Sequence, residues 1–427
     1  MRPTRLGTEA QIAAEKLALR ILDRPEVHAA VGLARAQLLL KQDAQDPEGR
    51  ESLERALKIW MQSFALRQTN GDPTRPKVIA DADSGAHEWF GHVYPSAQVA
   101  ADNPDNVYRN VYIDGRSRYL LRGRVSDPKP TQFVIELTLG RPGSLVVQSS
   151  GKDRIDLGGQ LGILTDRSVK PDADGRFTVS IDCDPRGDRI HHLQCRSGPQ
   201  VILLRDTLGD WGQTPLEYSI ERVDDAPAGS PPTEETIASE TAKDLPDWIA
   251  FWTKFKENWM GNPTPNTIAK PAARDGGWGF GAAGRFDLTD DEAIVATITD
   301  GKAAYTGIQI IDRWLIARDP RLDFVCLNRS QTKLNADGSA SYVISRRDPG
   351  YENWASTGGQ HKGYIFLRWQ GTPPGVEPAT LIQEFRVVRL ADLEEALTRT
   401  SLRRLSTEER EALRAKRRLE YEARFRV

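Results

Sequence analysis

The sequence predicts a mainly β protein made of two tandem antiparallel β-sandwich domains, braced by N-terminal, central and C-terminal helices. Three observations predict it. Runs of strand length rich in Val, Ile, Tyr and Phe, parted by Gly, Pro and Asp, fill the chain from about residue 105 to 226 and again from 285 to 391. Glycine and proline number 35 and 26 in 427 residues, too many for a helical bundle and natural in turn-rich β structure. The two β regions also resemble each other. Ala173-Asp174-Gly175 precedes RFTVSID, and Ala336-Asp337-Gly338 precedes SASYVIS. A strand with a central Leu-Arg then follows in each, VILLRD with Arg205 and YIFLRW with Arg368. Asp174 stands 31 residues before Arg205, and Asp337 stands 31 before Arg368. LEYSIERV and LIQEFRVV follow in turn. Equal spacing with matched flanks indicates a duplicated β unit, and a groove between duplicated domains is a usual place for a ligand.

Residues 1–75 read as helices. Ala13, Ala14, Leu17, Ile21 and Leu22 recur at helical spacing. Asp23 can cap a second helix with Pro25 in its first turn, and Asp46-Pro47 caps a third whose stripe includes Leu53, Leu57, Trp60 and Phe64. Residues 76–226 form the first sandwich. Its opening pair, NVYRNVYI and RYLLRGRV about Asp114-Gly115, reads as a hairpin, and SLVVQSS is a further strand. Residues 227–284 read as a linker holding a helix with Trp248, Phe251, Trp252, Phe255 and Trp259, then the glycine-rich GGWGFGAAG. Residues 285–391 form the second sandwich. Residues 392–427 end in a helix capped by Ser406 and Glu409, whose nine Arg/Lys against five Glu from Arg403 onward read as a solvated face.

Charge and cysteine usage narrow the function. The net charge of -2 argues against a general polyanion binder, so no nucleic-acid partner is expected. Three cysteines point to a reducing compartment. No apolar segment follows the arginines at the start, and no stretch is long enough to span a membrane. The expectation is a cytoplasmic protein with no membrane partner.

Motif by motif, metal and nucleotide chemistry are not specified. His87 and His92 are five apart, so HExxH is not matched. His87 is instead a candidate acid/base, since imidazole titrates near neutrality. Cys183, His191, His192 and Cys195 match no common zinc spacing. The glycine-rich stretch lacks GK[ST] and reads as an interdomain connection. No cofactor and no metal are expected.

Asn103-Pro104-Asp105-Asn106 opens the first β region, as a turn or as a set of ligand-orienting groups. Tyr108 and Arg109 after it point to opposite faces of their strand. IDRW, CLNRSQT, SRRDPGYENW and FLRW interleave Arg and Trp, among them Trp354 and Arg368. That pattern suits an aromatic or carboxylate-bearing molecule, or internal ion pairs with Trp in the core.

At NPDNVY, RRDPGYENW and HKGYIFLRW the chain resembles a group of uncharacterised bacterial proteins that carry a domain of unknown function. They are often encoded near sulfotransferase-like or catabolic genes. Asp348, Pro349, Gly350, Asn353, Trp354, Arg368 and Trp369 carry the likeness, with Ala355 where the pattern has Leu. It covers about residues 100–390 and implies sandwiches of jelly-roll type, with no settled reaction. The function expected is a cofactor-independent acid/base enzyme, a lyase, dehydratase or isomerase. It would act on an aromatic, lignin-derived, or acidic small molecule in bacterial catabolism. His87 and Tyr108 are the candidate catalytic groups. Asn103, Asp105, Arg109, Arg205, Arg368 and Trp354 are the candidate binding groups. The alternative is a non-catalytic binding or scaffold protein, and a homo-oligomer is compatible with either.

Overall fold

The computed structural model describes residues 4–141, 148–149, 155–156, 159–225, 227–259, 264–274 and 279–426. The fold is mainly β, with helices around it. Three helices lead, α1 (Glu9–Leu22), α2 (Pro25–Leu38) and α3 (Pro47–Thr69). The hydroxyl of Thr8 caps α1, and Asp46 caps α3 by accepting from the Gly49 N–H at 2.8 Å. The cap expected of Asp23 is not made. Asp23 closes the C-terminus of α1, and Arg24, whose side chain makes no capping bond, precedes Pro25 at the start of α2. The fixed φ of Pro25 suits the first helical turn without a cap.

The first β half contains β1 (Ile79–Ala82), β2 (His87–Trp89), β3 (His92–Tyr94), β4 (Asn106–Asp114), β5 (Tyr119–Arg124) and β6 (Gln132–Leu139). Next come β7 (Gln148–Ser149), β8 (Ile155–Asp156), β9 (Gln160–Thr165), β10 (Arg176–Asp182), β11 (His192–Gln194), β12 (Pro199–Thr207) and β13 (Glu217–Arg222). The strand expected at 144–150 lies outside the described residues except for β7. The long helix α4 (Glu234–Trp259) separates the halves and packs on the leading helices through Ile237, Leu245, Trp248 and Ile249.

The second half contains β14 (Thr267–Ile268), β15 (Ala272–Ala273), β16 (Gly279–Asp287), β17 (Glu292–Ile298) and β18 (Tyr305–Asp312). It is completed by β19 (Cys326–Asn328), β20 (Ala340–Ser345), β21 (Trp354–Ser356), β22 (Lys362–Gln370) and β23 (Ile382–Arg389). A short helix, α5 (Leu393–Ala396), and the long α6 (Thr407–Ala423) end the chain, α6 with the expected Ser406–Glu409 capping box. Among the described residues no helix is long and apolar enough to cross a membrane.

The halves share one topology. In the first, the larger sheet runs β1-β4-β12-β6-β9 and the smaller β11-β10-β5-β13. In the second, the main path of the larger sheet runs β14-β16-β22-β18-β19 and the smaller β21-β20-β17-β23. Even the exceptions match, since β10–β11 and β20–β21 are parallel pairs in otherwise antiparallel surroundings. The repeated turns match too. Gly175 N–H bonds Asp172 O and Gly338 N–H bonds Asn335 O, and both glycines have positive φ, +77° and +83°. A β-carbon strains that conformation, which explains Asp-Gly at both places.

Two expectations change. Asp114-Gly115 does not make a hairpin, because β4 and β5 belong to different sheets. It carries the chain from one sheet to the other, where a β-carbon on Gly115 would overlap Arg196 O. The larger and smaller sheets instead close one core, with Val111, Leu121, Ile135, Val179 and Ile202 drawn from both. The second change is in the glycine-rich stretch. From Gly279 onward it is not a connection but β16, paired along its length with β22, while residues 276–278 lie outside the described residues.

Candidate functional site

His87 sits in a buried charged cluster. Its Nε2 is 2.9 Å from Glu15 Oε1, and its Nδ1 is 3.1 Å from Asp83 Oδ2. The same Glu15 oxygen accepts from Trp89 Nε1 and Gln11 Nε2, and Tyr421 donates to Asp83 at 2.6 Å. Burial alone would lower the His87 pKa. Its hydrogen bonds to Asp83 and Glu15 and their charges win, lifting it to about 9. Both ring nitrogens are engaged, so the imidazolium acts as a clasp joining α1, β2 and, through Asp83 and Tyr421, α6. The cavity beside it, lined by Asp83, His87, Trp89 and Arg424, measures about 20 Å³, room for one water.

The Asn103–Asn106 turn lies where the two halves meet. Asp105 is fully buried and accepts from Trp211 Nε1 at 2.7 Å, Tyr305 O–H at 2.6 Å and Asn328 Nδ2 at 3.0 Å. Asn103 Nδ2 donates to the same Tyr305 oxygen. These bonds fasten the entrance of β4 to β18 and β19. Arg109 points the other way, into the first core. There it pairs with Asp206 at 2.9 Å and donates to Leu216 O. Trp354 is buried in the second core, where Phe324 neighbours it and the Arg410 guanidinium lies 5.4 Å from its ring. These three regions are separate from one another.

Arg205 and Arg368, by contrast, come together. Each is the seventh residue of its half's central strand, β12 and β22. Two residues on, the equivalent side chains touch: Thr207 Oγ1 donates to Gln370 Oε1 at 2.9 Å. Side chains two apart on a strand share a face, so both arginines flank this contact in the seam between the halves. Arg274, just after β15, joins them. Burial, then the charges of Arg205 and Arg368, push its pKa down to about 9. Arg368 Nη2 donates to Ala101 O, and its guanidinium lies 5.1 Å from the Phe366 ring. Arg205 lies 5.7 Å from the Tyr108 ring and 3.7 Å from Glu136. Of the sequence candidates, Asn103, Tyr108, Arg205 and Arg368 therefore gather in one place, the Asn103 N–H donating to the Tyr108 hydroxyl. Arg274, Glu136 and Asp102 lie there without having been singled out.

The two faces of the seam are not alike. Tyr108 is the register partner of Arg205 in β4, and Gly281 is the partner of Arg368 in β16. Among the described residues a β-carbon on Gly281 would meet nothing nearer than Leu367 O at 3.9 Å, so they leave room beside Arg368. A separate hollow of about 420 Å³ between α3, β4 and α4 is lined by Asp72, Asp114, Glu240 and Asp244 with Arg141 and Lys243. Its charges are mixed and do not converge. No group of three or more His, Cys, Asp or Glu side chains among the described residues is arranged to hold a metal ion. The three cysteines are free thiols.

No protein-family model matches this chain, and no curated protein matches it. A solved structure of an uncharacterised protein from Burkholderia cenocepacia is similar with a TM-score of 0.68 and 22% identity, covering 88% of this chain and 99% of that one. That likeness speaks for the fold alone. A protein from Vibrio parahaemolyticus aligns over 68% of this chain and 90% of its own at 11% identity, with a TM-score of 0.38.

Proposed function

We propose that the chain is a pair of tandem β-sandwiches that captures an acidic small molecule in the seam between them. Arg205, Arg274 and Arg368 take its anionic group. The observation that carries the reading is the convergence of two symmetry-equivalent arginines with a third. Arg205 lies 3.7 Å from Glu136 and Arg274 feels the same carboxylate, and the planar forks of the guanidiniums fit a carboxylate in bidentate fashion. The Tyr108 and Phe366 rings and the gap at Gly281 favour a ligand with a flat, aromatic body. The clasp role of His87 supports moving any acid/base chemistry away from it and toward the seam.

Calorimetric titration tests this with benzoate, phenylpyruvate and the neutral control benzyl alcohol. Both anions are expected to bind and benzyl alcohol is not. The double variant Arg205→Met/Arg368→Met should lose about 100-fold or more in affinity, as two charged hydrogen-bonding groups go. Gly281→Leu should block the gap, whereas Gly281→Ala should bind as the native chain does. Equal affinity for the anions in the double variant would refute the reading.

A further inference from the structure

Among the described residues, Asp102 is a carboxylate at this seam that no ion pair or clasp absorbs. Its backbone is pinned on both sides to seam residues. Ala101 O accepts from Arg368, Asn103 N–H donates to the Tyr108 hydroxyl at 3.1 Å, and Gln309 Nε2 holds Asp102 O at 2.7 Å. Ala100 and Ala101 before it both have left-handed φ, +44° and +65°. Two consecutive alanines there are strained, and such strain persists where surrounding contacts over-determine the backbone, as they do at sites. The Val99 N–H holds Asp102 Oδ2 at 2.8 Å, and among the described residues Oδ1 makes no hydrogen bond. The residue is half-buried, so solvent reaches it. Arg67, Asp81 and Arg205 are the charged groups that act on it.

Building on the anion-binding reading, we propose that Asp102 is the general base of the seam, acting on an aromatic 2-oxo acid whose carboxylate the arginines hold. The Asp102 carboxylate takes a proton from the carbon next to the carbonyl. The C–H electron pair becomes the carbon–carbon double bond of an enolate, and the negative charge moves to the carbonyl oxygen, beside the guanidiniums. Return of a proton to carbon regenerates the acid; delivery to oxygen gives the enol. No electrons are gained or lost overall, so no redox partner is needed. Burial lifts the Asp102 pKa to about 7, against the pull of the Val99 N–H and Arg67. That value suits a base working near neutrality.

The experiment follows exchange of the methylene protons of phenylpyruvate in deuterated buffer by proton NMR, beside calorimetric binding of the same acid. The native chain is expected to exchange them faster than buffer, with a rate that rises as Asp102 ionises through about pH 7. Asp102→Asn should lose about 100-fold or more of the exchange while binding phenylpyruvate at least as well, since a negative charge beside the arginines is removed. Tight binding with exchange at the buffer rate overturns the base and leaves the binding site standing. Exchange undiminished in Asp102→Asn assigns the base elsewhere and also overturns it. Absence of binding by the native chain removes the site itself, and the base with it.

Discussion

Replacing Asp105 by Ala tests how firmly the two halves are joined. The carboxylate receives three donors from three elements: Trp211 Nε1 after β12, the Tyr305 hydroxyl of β18 and Asn328 Nδ2 of β19. All three partners are buried, so none recovers a full hydration shell when the acceptor goes. A buried donor left unmatched costs about 1–3 kcal/mol, and some relaxation is expected, so Asp105→Ala should lose roughly 3–6 kcal/mol of stability. Asp105→Asn keeps one oxygen for Trp211 and Asn328 and leaves the Tyr305 hydroxyl without its acceptor, so it should lose about 1–3 kcal/mol. Urea unfolding followed by tryptophan fluorescence suits the measurement, because Trp211 reports on the site directly. A loss below about 1 kcal/mol in Asp105→Ala would mean that the turn is not the joint between the halves, and the reasoning would fall.

Two further outcomes follow from clasps and turns. In the folded chain His87 keeps its proton up to about pH 9, against 6.5 for the ordinary imidazole. The raised value means the clasp adds stability that is complete below pH 6.5 and lost as pH rises to about 9, about 3 kcal/mol in all. Urea midpoints taken from pH 6 to 10 should show that decline in the native chain and a clearly smaller one in His87→Gln; the same decline in both would disprove the clasp. The repeated turns differ in their surroundings. A β-carbon on Gly175 would stand 2.2 Å from Val125 O, while among the described residues one on Gly338 meets nothing within 4 Å. Gly338→Ala should lose about 1 kcal/mol through φ alone and Gly175→Ala about 3 kcal/mol or more, and equal losses in thermal unfolding would contradict the difference in packing.

The duplication was legible because its marks are local. A turn that needs a left-handed residue writes Asp-Gly into the chain, and equal strand lengths carry that mark to Arg205 and Arg368 at equal distance. Strand pairing across sheets is not local, which is why Asp114-Gly115 read as a hairpin when it is a crossing between layers. The partners of His87 were out of reach for the same reason, since Glu15 lies a helix away and nothing near His87 announces it. Asp102 and Arg274 gain their character only once the halves come together. The last helix is mostly exposed, as its charge balance implies, but a buried face of it was missed. Arg410 and Arg417 of α6 and Arg424 just after it are seven apart, hence on one side, and all three are buried. Arg410 is 5.1 Å from the Phe324 ring, Arg417 is 4.6 Å from Trp211, and Arg424 is 3.9 Å from Tyr421. Residue spacing, rather than the balance of charges, held that signal.

A chain that carries its symmetry mate within itself escapes a constraint that binds a homodimer. When two identical subunits meet about a twofold axis, every substitution on the axis arrives twice. Here the neighbour of one central arginine is a tyrosine and that of the other a glycine. Two identical subunits about a twofold axis could not make those neighbours differ. Under the proposed function such a seam favours one orientation of an asymmetric guest, where two identical subunits would accept it either way round.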